Sequence, residues 1–381
     1  MDDRNNDLVT GGLLEKALGL SKGQTPFPWQ EELLTRFLHG IIPPALDIPT
    51  GLGKTAVMAI WLVARAAGAE LPRRLLYIVD RRAVVDQATE VAVALRELVN
   101  NNSDLKTRLG LEADHSLPIS TLRGQYVDNR EWLEDPASPA VIVGTVDMIG
   151  SRVLFEGYGV SRKMRPYHAG LLGADVLVVL DEAHLTPPFE SLLRSIAERD
   201  ADFRPRDKAL DRLVPRFRLL SLSATGRAVG SNSLGLTDAD LNHPVLKNRL
   251  NAKKLLAMKS SGSQSDTDGT GIVNNNDQEG KWNLSDALAR EAWSLAENGT
   301  RKTRIIVFCD SRKIADDTKS AVEKLAKGDK KTRACSVEID TELFVGGRRV
   351  FERQNGEPIS DGATSATCKT TRINGLGEVS K

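Results

Sequence analysis

The sequence predicts an α/β fold, a doubly wound parallel sheet with helices on both faces, followed by the opening of a second α/β unit. Three observations carry this. Five short runs rich in Val, Ile and Leu recur with helical stretches between them: Ala45 to Ile48, Leu75 to Val79, Ala140 to Val143, Val176 to Leu180 and Arg218 to Leu222. They show little polar alternation, as strands covered on both faces do. Motifs rich in polar residues and glycine follow these runs directly, and an open α/β sheet gathers its chemistry at the carboxyl ends of its strands.

With 381 residues, 40% of them hydrophobic, the chain is long enough for one full α/β core and part of another. No apolar run reaches the length of a membrane helix, and the start Met1-Asp2-Asp3-Arg4 lacks a signal-peptide pattern. A cytoplasmic protein with no membrane partner is expected. Cys309, Cys335 and Cys368 are too widely spaced for a metal knuckle or a disulfide framework. The net charge of +1 excludes a protein that coats nucleic acid by bulk electrostatics. A protein that grips phosphates with backbone N–H groups and a few arginines stays open.

The first run leads into Ile48-Pro49-Thr50-Gly51-Leu52-Gly53-Lys54-Thr55, a strand–glycine loop–helix arrangement. Glycine lets backbone N–H groups close around phosphates, Lys54 can reach the β and γ phosphates, and the Thr55 hydroxyl suits Mg²⁺. Thr50, Gly51, Leu52, Gly53, Lys54 and Thr55 are therefore the expected nucleotide cradle. Ile48 stands where the general formula has its first glycine. No Asp or Glu occurs from Gly53 to Ala69, so no local acid offsets the partial positive charge at the helix start. Upstream, in Phe27-Pro28-Trp29-Gln30, the Gln30 amide can read the donor–acceptor edge of adenine. Phe27 and Trp29 equally suit a helix start with both rings in the core.

The run Val176 to Leu180 ends in Asp181-Glu182-Ala183-His184. Asp181 is expected to hold Mg²⁺ and Glu182 to orient an attacking water. His184 reads as a hydrogen-bonding coupler rather than a metal ligand, because His39, His115, His168 and His243 lack ligand spacing. Ser223-Ala224-Thr225, after the last run, offers Ser223 and Thr225 as a link between nucleotide and strand-holding surface. Three further strand ends suit phosphate oxygens: Asp80-Arg81-Arg82, Thr121-Leu122-Arg123-Gly124 and Gly144-Thr145-Val146-Asp147. They nominate Arg81, Arg82, Arg123, Gly124, Thr145 and Asp147 for nucleic acid. Each arginine taken singly also suits a solvated surface.

From Lys259 to Gly280 Ser, Gly, Asp, Asn and Gln predominate, which predicts a flexible linker. A helix over Ser285 to Ala296, a strand over Arg304 to Phe308 and a helix to about Lys327 then open a second unit. The expected domains are an N-terminal extension over 1–24, an ATP-binding domain over 25–258, a flexible linker or insert over 259–281, a partial second domain over 282–353 and a divergent, disordered tail over 354–381.

The ordered set from Gln30 through Lys54, Arg81, Arg123, Thr145, the Asp181–His184 box and Ser223 resembles superfamily 2 DEAH-box helicases. The resemblance implies two RecA-like lobes, ATP and Mg²⁺ as cofactors, catalytic Lys54, Asp181, Glu182 and His184, and a nucleic-acid strand as partner. The wording Asp-Ile-Pro-Thr-Gly-Leu-Gly-Lys-Thr, Gly-Thr-Val-Asp-Met-Ile-Gly-Ser-Arg, Leu-Asp-Glu-Ala-His-Leu and Leu-Ser-Ala-Thr is most similar to the helicase-nuclease of type I CRISPR systems, lineage I-U or I-G. That implies a 3′ to 5′ translocase on single-stranded DNA recruited by an RNA-guided surveillance complex. No His-Asp dipeptide of the family's HD nuclease occurs. The family-like text stops after Phe344 to Arg353, before the motif that supplies arginine fingers. A truncated or frameshifted product, or a fragment with a separately encoded partner piece, is expected, with impaired hydrolysis. Another superfamily 2 DNA or RNA helicase, or a non-catalytic ATP-binding remnant, stands as the alternative.

Overall fold

The computed structural model describes residues 12–123, 126–128, 130–198, 207, 209, 213–224, 232–252, 283–301, 303–327, 339–343 and 369–373. Two compact units divide the chain, Met1–Lys253 and Lys254–Lys381. In the first, α1 (Leu13–Ala17) and α2 (Pro28–Leu38) precede β1 (Ala45–Asp47), α3 (Val57–Ala66) and β2 (Arg74–Val79). Then come α4 (Arg82–Asn100), α5 (Ser103–Arg108), β3 (Ile119–Arg123) and β4 (Tyr126–Asp128). β5 (Ala140–Thr145), α6 (Val146–Val153), α7 (Arg165–Gly173), β6 (Val176–Leu180) and α8 (Pro187–Glu198) follow. β7 (Phe217–Ser223), β8 (Leu234–Gly235), α9 (Asp238–Asn242) and α10 (Pro244–Leu250) complete the unit.

The eight strands lie in the order β4-β3-β5-β2-β6-β7-β1-β8. All neighbours pair in parallel except β3 with β4. All five predicted runs are strands of this RecA-like sheet. Their unbroken apolar character has a direct cause, since alternate residues of one strand enter opposite cores. Leu75, Tyr77 and Val79 of β2 join the core on one face, while Leu76 and Ile78 join the other. Leu177 and Val179 of β6 divide likewise from Val176, Val178 and Leu180. A strand with two buried faces has no solvent side on which to place polar residues. α3 is buried on every side except at Arg65, so it too reads as apolar all round. The edges differ. β3 was anticipated only through its carboxyl end, and β4 pairs antiparallel with it, a geometry that requires no crossover helix.

The second unit contains α11 (Leu284–Leu295), β9 (Thr303–Val307), α12 (Arg312–Lys327), β10 (Ile339–Glu342) and β11 (Lys369–Ile373). The predicted helix–strand–helix is present within one residue or so of its expected bounds. Ala292, Ala296, Ile305 and Val307 form its small core. Its sheet, ordered β10-β11-β9, is antiparallel at both pairings. Lys369–Ile373 falls in the stretch expected to form a disordered tail, and it is the central strand instead. Lys-Thr-Thr-Arg-Ile carries the β-branched residues that a pleated surface favours. The predicted linker and the residues from Phe344 to Arg353 lie outside the described residues.

Candidate nucleotide and nucleic-acid site

Three adjacent strands, β6, β7 and β1, deliver the central motifs to one edge of the sheet. After β1 the backbone turns through Gly51 and Gly53, whose φ angles of 86° and 80° suit glycine and strain any side-chain-bearing residue. A Cβ at Gly51 would meet no heavy atom within 4 Å, so the outer side of this turn is open. Lys54 begins a 3₁₀ turn, Lys54–Ala56, that feeds α3. The lysine is only 7% exposed, and its Nζ donates to Glu182 Oε1 at 2.7 Å. Thr50 Oγ1 donates to the same oxygen at 3.3 Å. Residues 128 apart in sequence thus form one charged cluster.

The acidic end is built with equal specificity. Asp181 N donates to Ile78 O of the neighbouring strand, and Tyr77 Oη donates to Asp181 Oδ2 at 3.0 Å. Burial pushes the Asp181 carboxyl upward, against the pull of the Lys54 ammonium and the Tyr77 hydrogen bond. Burial, then the neighbouring Asp181, holds the Tyr77 hydroxyl well above its ordinary range. Glu182 adopts φ 48° and ψ 48°, a left-handed conformation rare for a non-glycine residue and frequent where function demands strain. That turn aims the carboxylate back at Lys54. His184 Nδ1 lies 3.3 Å from Glu182 Oε2 without hydrogen-bond geometry, a buried ring nitrogen lacking a partner.

Ser223 ends β7 between the two motif-bearing strands, and its carbonyl accepts from Ile48 N at 3.0 Å. Thr225 lies outside the described residues. Gln30 is 5% exposed; its Oε1 accepts from Phe27 N at 2.8 Å, and its Nε2 lies 3.6 Å from where a Cβ on Gly53 would sit. One end of the amide is therefore spent on capping α2, and the other faces the glycine turn. Trp29 is fully buried and Phe27 partly so, which separates the two aromatics that sequence left equivalent.

The nominated nucleic-acid residues are disposed unevenly. Arg81 precedes α4 with its side chain 70% exposed. Thr145 is buried at the start of α6, and Asp147 in the first turn is exposed. Arg82 opens α4 and Arg123 ends β3, but their side chains, like Gly124 as a whole, lie outside the description. Sequence reasoning missed three participants. Tyr77 carried a weak signal, as an aromatic hydroxyl inside an aliphatic strand. Arg249 carried none, yet its Nη1 donates to Gly51 O at 2.9 Å and its guanidinium stands 6.0 Å from the Phe27 ring centroid. Asp240, fully buried, accepts from Trp29 N with one oxygen and from Thr237 with the other. Nor was a histidine-containing cluster anticipated, but exposed His115 lies beside Glu112 and Asp114.

A triphosphate and a divalent cation are the groups that this arrangement fits. The open glycine turn, a nearly buried lysine tied to a carboxylate, and a buried carboxyl with its own tyrosine donor provide both signs of charge where phosphate and metal require them.

Residues 27–229 match the family model described as "DEAD/DEAH box helicase". No curated protein matches the chain. Among solved structures, similarity extends to the Hef helicase domain of Pyrococcus furiosus, at 18% identity, TM-score 0.34, over 58% of this chain and 39% of that one. It extends also to the DUF1998 helicase MrfA bound to DNA, at 16% identity, TM-score 0.46, over 93% and 42%. The DEAD-box helicase Mss116 bound to ssRNA and UDP-BeF matches at 15% identity, TM-score 0.37, over 57% and 40%. The chain thus spans well under half the length of these structures.

Proposed function

The chain belongs to the DEAD/DEAH box helicase family, and on that premise we propose that it is an ATP-dependent motor acting on single-stranded nucleic acid. The observation that carries the reading is the 2.7 Å pair between Lys54 and Glu182, which joins the phosphate loop and the acidic strand end in one site. Bound ATP, with Mg²⁺, supplies a phosphoanhydride whose cleavage drives the motor. Lys54 and the N–H groups of Gly51 to Thr55 bind phosphate oxygens, and Lys54 then exchanges its carboxylate partner for them. Released from Lys54, the Glu182 carboxylate is free to orient and polarise water. Asp181 and the Thr55 hydroxyl would hold the cation, with Tyr77 fixing the Asp181 carboxylate. Gln30 and Phe27 border the turn where the base would lie. The Ser223 carbonyl ties this site to the neighbouring strand, His184 would supply the coupling hydrogen bond, and Arg81, Arg82, Arg123, Gly124, Thr145, Asp147 and Thr225 would serve the nucleic-acid side.

Single-stranded DNA is the proposed track, and defence of a type I CRISPR kind, with recruitment by an RNA-guided surveillance complex, is the proposed setting. Support for that setting is the wording of the four motifs around Lys54, Thr145, Glu182 and Ser223. The test is steady-state ATP hydrolysis with single-stranded DNA or RNA added. Lys54→Ala and Glu182→Gln are each expected to lower turnover on the order of 10²- to 10³-fold, the usual consequence of removing one preorganised group from such a site. Glu182→Gln should still bind ATP. Turnover equal to wild type in Lys54→Ala would refute the assignment, and stimulation by RNA but not DNA would reassign the track.

A further inference from the structure

The turn joining α6 to α7, residues 154–164, is an unusual surface. Phe155 and Tyr158 are 59% and 65% exposed, with Leu154 and Met164 exposed beside them in sequence. Such apolar side chains contribute little to folding where they stand. The backbone nevertheless holds them in a defined geometry. Phe155 adopts φ 63°, and Gly157 and Gly159 take 55° and 69°. A left-handed phenylalanine is energetically costly and persists only where its surroundings dictate it. They do so here. Glu156 N and Gly157 N both donate to Ser151 O, Phe155 N donates to Arg152 O, and Val160 N donates to Gly157 O. Beneath the turn, Arg152, 2% exposed, donates from Nη1 to Met148 O and from Nη2 to Tyr158 O. The one acid of the turn, Glu156, is held by Arg165 at 3.0 Å, and Arg162 and Lys163 are exposed.

We propose that this turn is a stacking platform on which Phe155 and Tyr158 receive bases of a single strand while Arg162 and Lys163 meet its phosphates. The proposal rests on the helicase reading above and adds a contact outside the motifs that define it. Exposed aromatics flanked by cations suit a single strand, whose bases offer π faces and whose backbone is anionic; a neutral apolar partner would leave Arg162 and Lys163 unmatched. Placement agrees. The turn leaves the carboxyl end of α6, whose first turn holds Asp147. Eight helical residues cover about 12 Å, a distance that a strand of a few nucleotides can bridge.

The experiment is a fluorescence-anisotropy titration of the full chain with labelled 20-nucleotide oligo(dT), oligo(rU) and an abasic strand of equal length. Wild type is expected to prefer oligo(dT) to the abasic strand, and Phe155→Ala/Tyr158→Ala to weaken oligo(dT) binding by roughly five- to hundredfold while abolishing that preference. An unchanged unfolding temperature in the variant establishes that the loss is local. Arg162→Ala/Lys163→Ala should weaken both strands alike and flatten the salt dependence. Equal affinity of wild type and the aromatic variant for oligo(dT), including the case in which the turn docks a protein instead, overturns the platform. So does an equal loss on the abasic strand. Absence of binding to any strand by wild type overturns the helicase reading, and with it the platform, a result distinct from both.

Discussion

Arg249 shows how little of a site's supporting chemistry is local. Its hydrogen bond to the Gly51 carbonyl spans 198 positions of sequence and steadies a loop whose two glycines cost the backbone conformational freedom. The same guanidinium borders Phe27, so on the proposed reading it lies at the base side of the nucleotide cradle rather than at the scissile bond. Arg249→Ala is therefore predicted to raise the KM for ATP about three- to tenfold, on the order of one ordinary net hydrogen bond. kcat should change less than twofold, as expected when uniform binding is lost. Steady-state kinetics on both parameters checks this, and a kcat loss at constant KM would contradict it. Lys54, Asp181 and Glu182 could be nominated from sequence because their motifs are contiguous and their chemistry admits few substitutes. Tyr77 and Arg249 were not, since each earns its role only from a neighbour that folding supplies.

At the scale of elements, short helices are set in place by shared caps. Asp240 lies in the first turn of α9, accepts from Thr237 at that helix's own start, and accepts from Trp29 N at the start of α2. One fully buried carboxylate thus orients α2, which carries Gln30 to the glycine turn. Removing it leaves orphan N–H donors at two helix starts, and Asp240→Ala is predicted to cost about 2–4 kcal/mol of stability. Urea unfolding of the variant measures this, with Asp240→Asn expected to recover much of the loss; a change below 0.5 kcal/mol, on the order of ordinary surface substitutions, would show that the caps are dispensable. The strands were legible as elements because burial on both faces produces unbroken apolar runs. β4, β8 and β11 were not, being short edge or antiparallel partners whose pairing depends on which strand edge is free.

For the molecule as a whole, a histidine packed against one of the sheet's two cores links stability to pH. His168 on α7 packs edge-on against Trp132 at 5.1 Å, and burial, aided by the Arg152 and Arg130 charges, pushes its imidazole down to about 4 from 6.5. The unfolded chain then takes up a proton near pH 6.5 that the folded chain refuses until about pH 4. Stability conferred by the neutral ring is complete above the upper value and is lost as pH falls between the two. Urea midpoints measured from pH 7 to pH 4.5 should therefore decline in wild type and decline less in His168→Phe; parallel curves would remove His168 as the cause. By itself the sequence determined the α/β class, the order of the motifs and which residues to nominate for phosphate, because those signals are written within a few positions of one another. Only the tertiary structure decided that β7 stands between β6 and β1, that Glu182 turns into a left-handed conformation to meet Lys54, and that Arg249 closes on Gly51. Parallel apolar runs are interchangeable as local text, and which of them become neighbours is settled by the joint burial of both sheet faces.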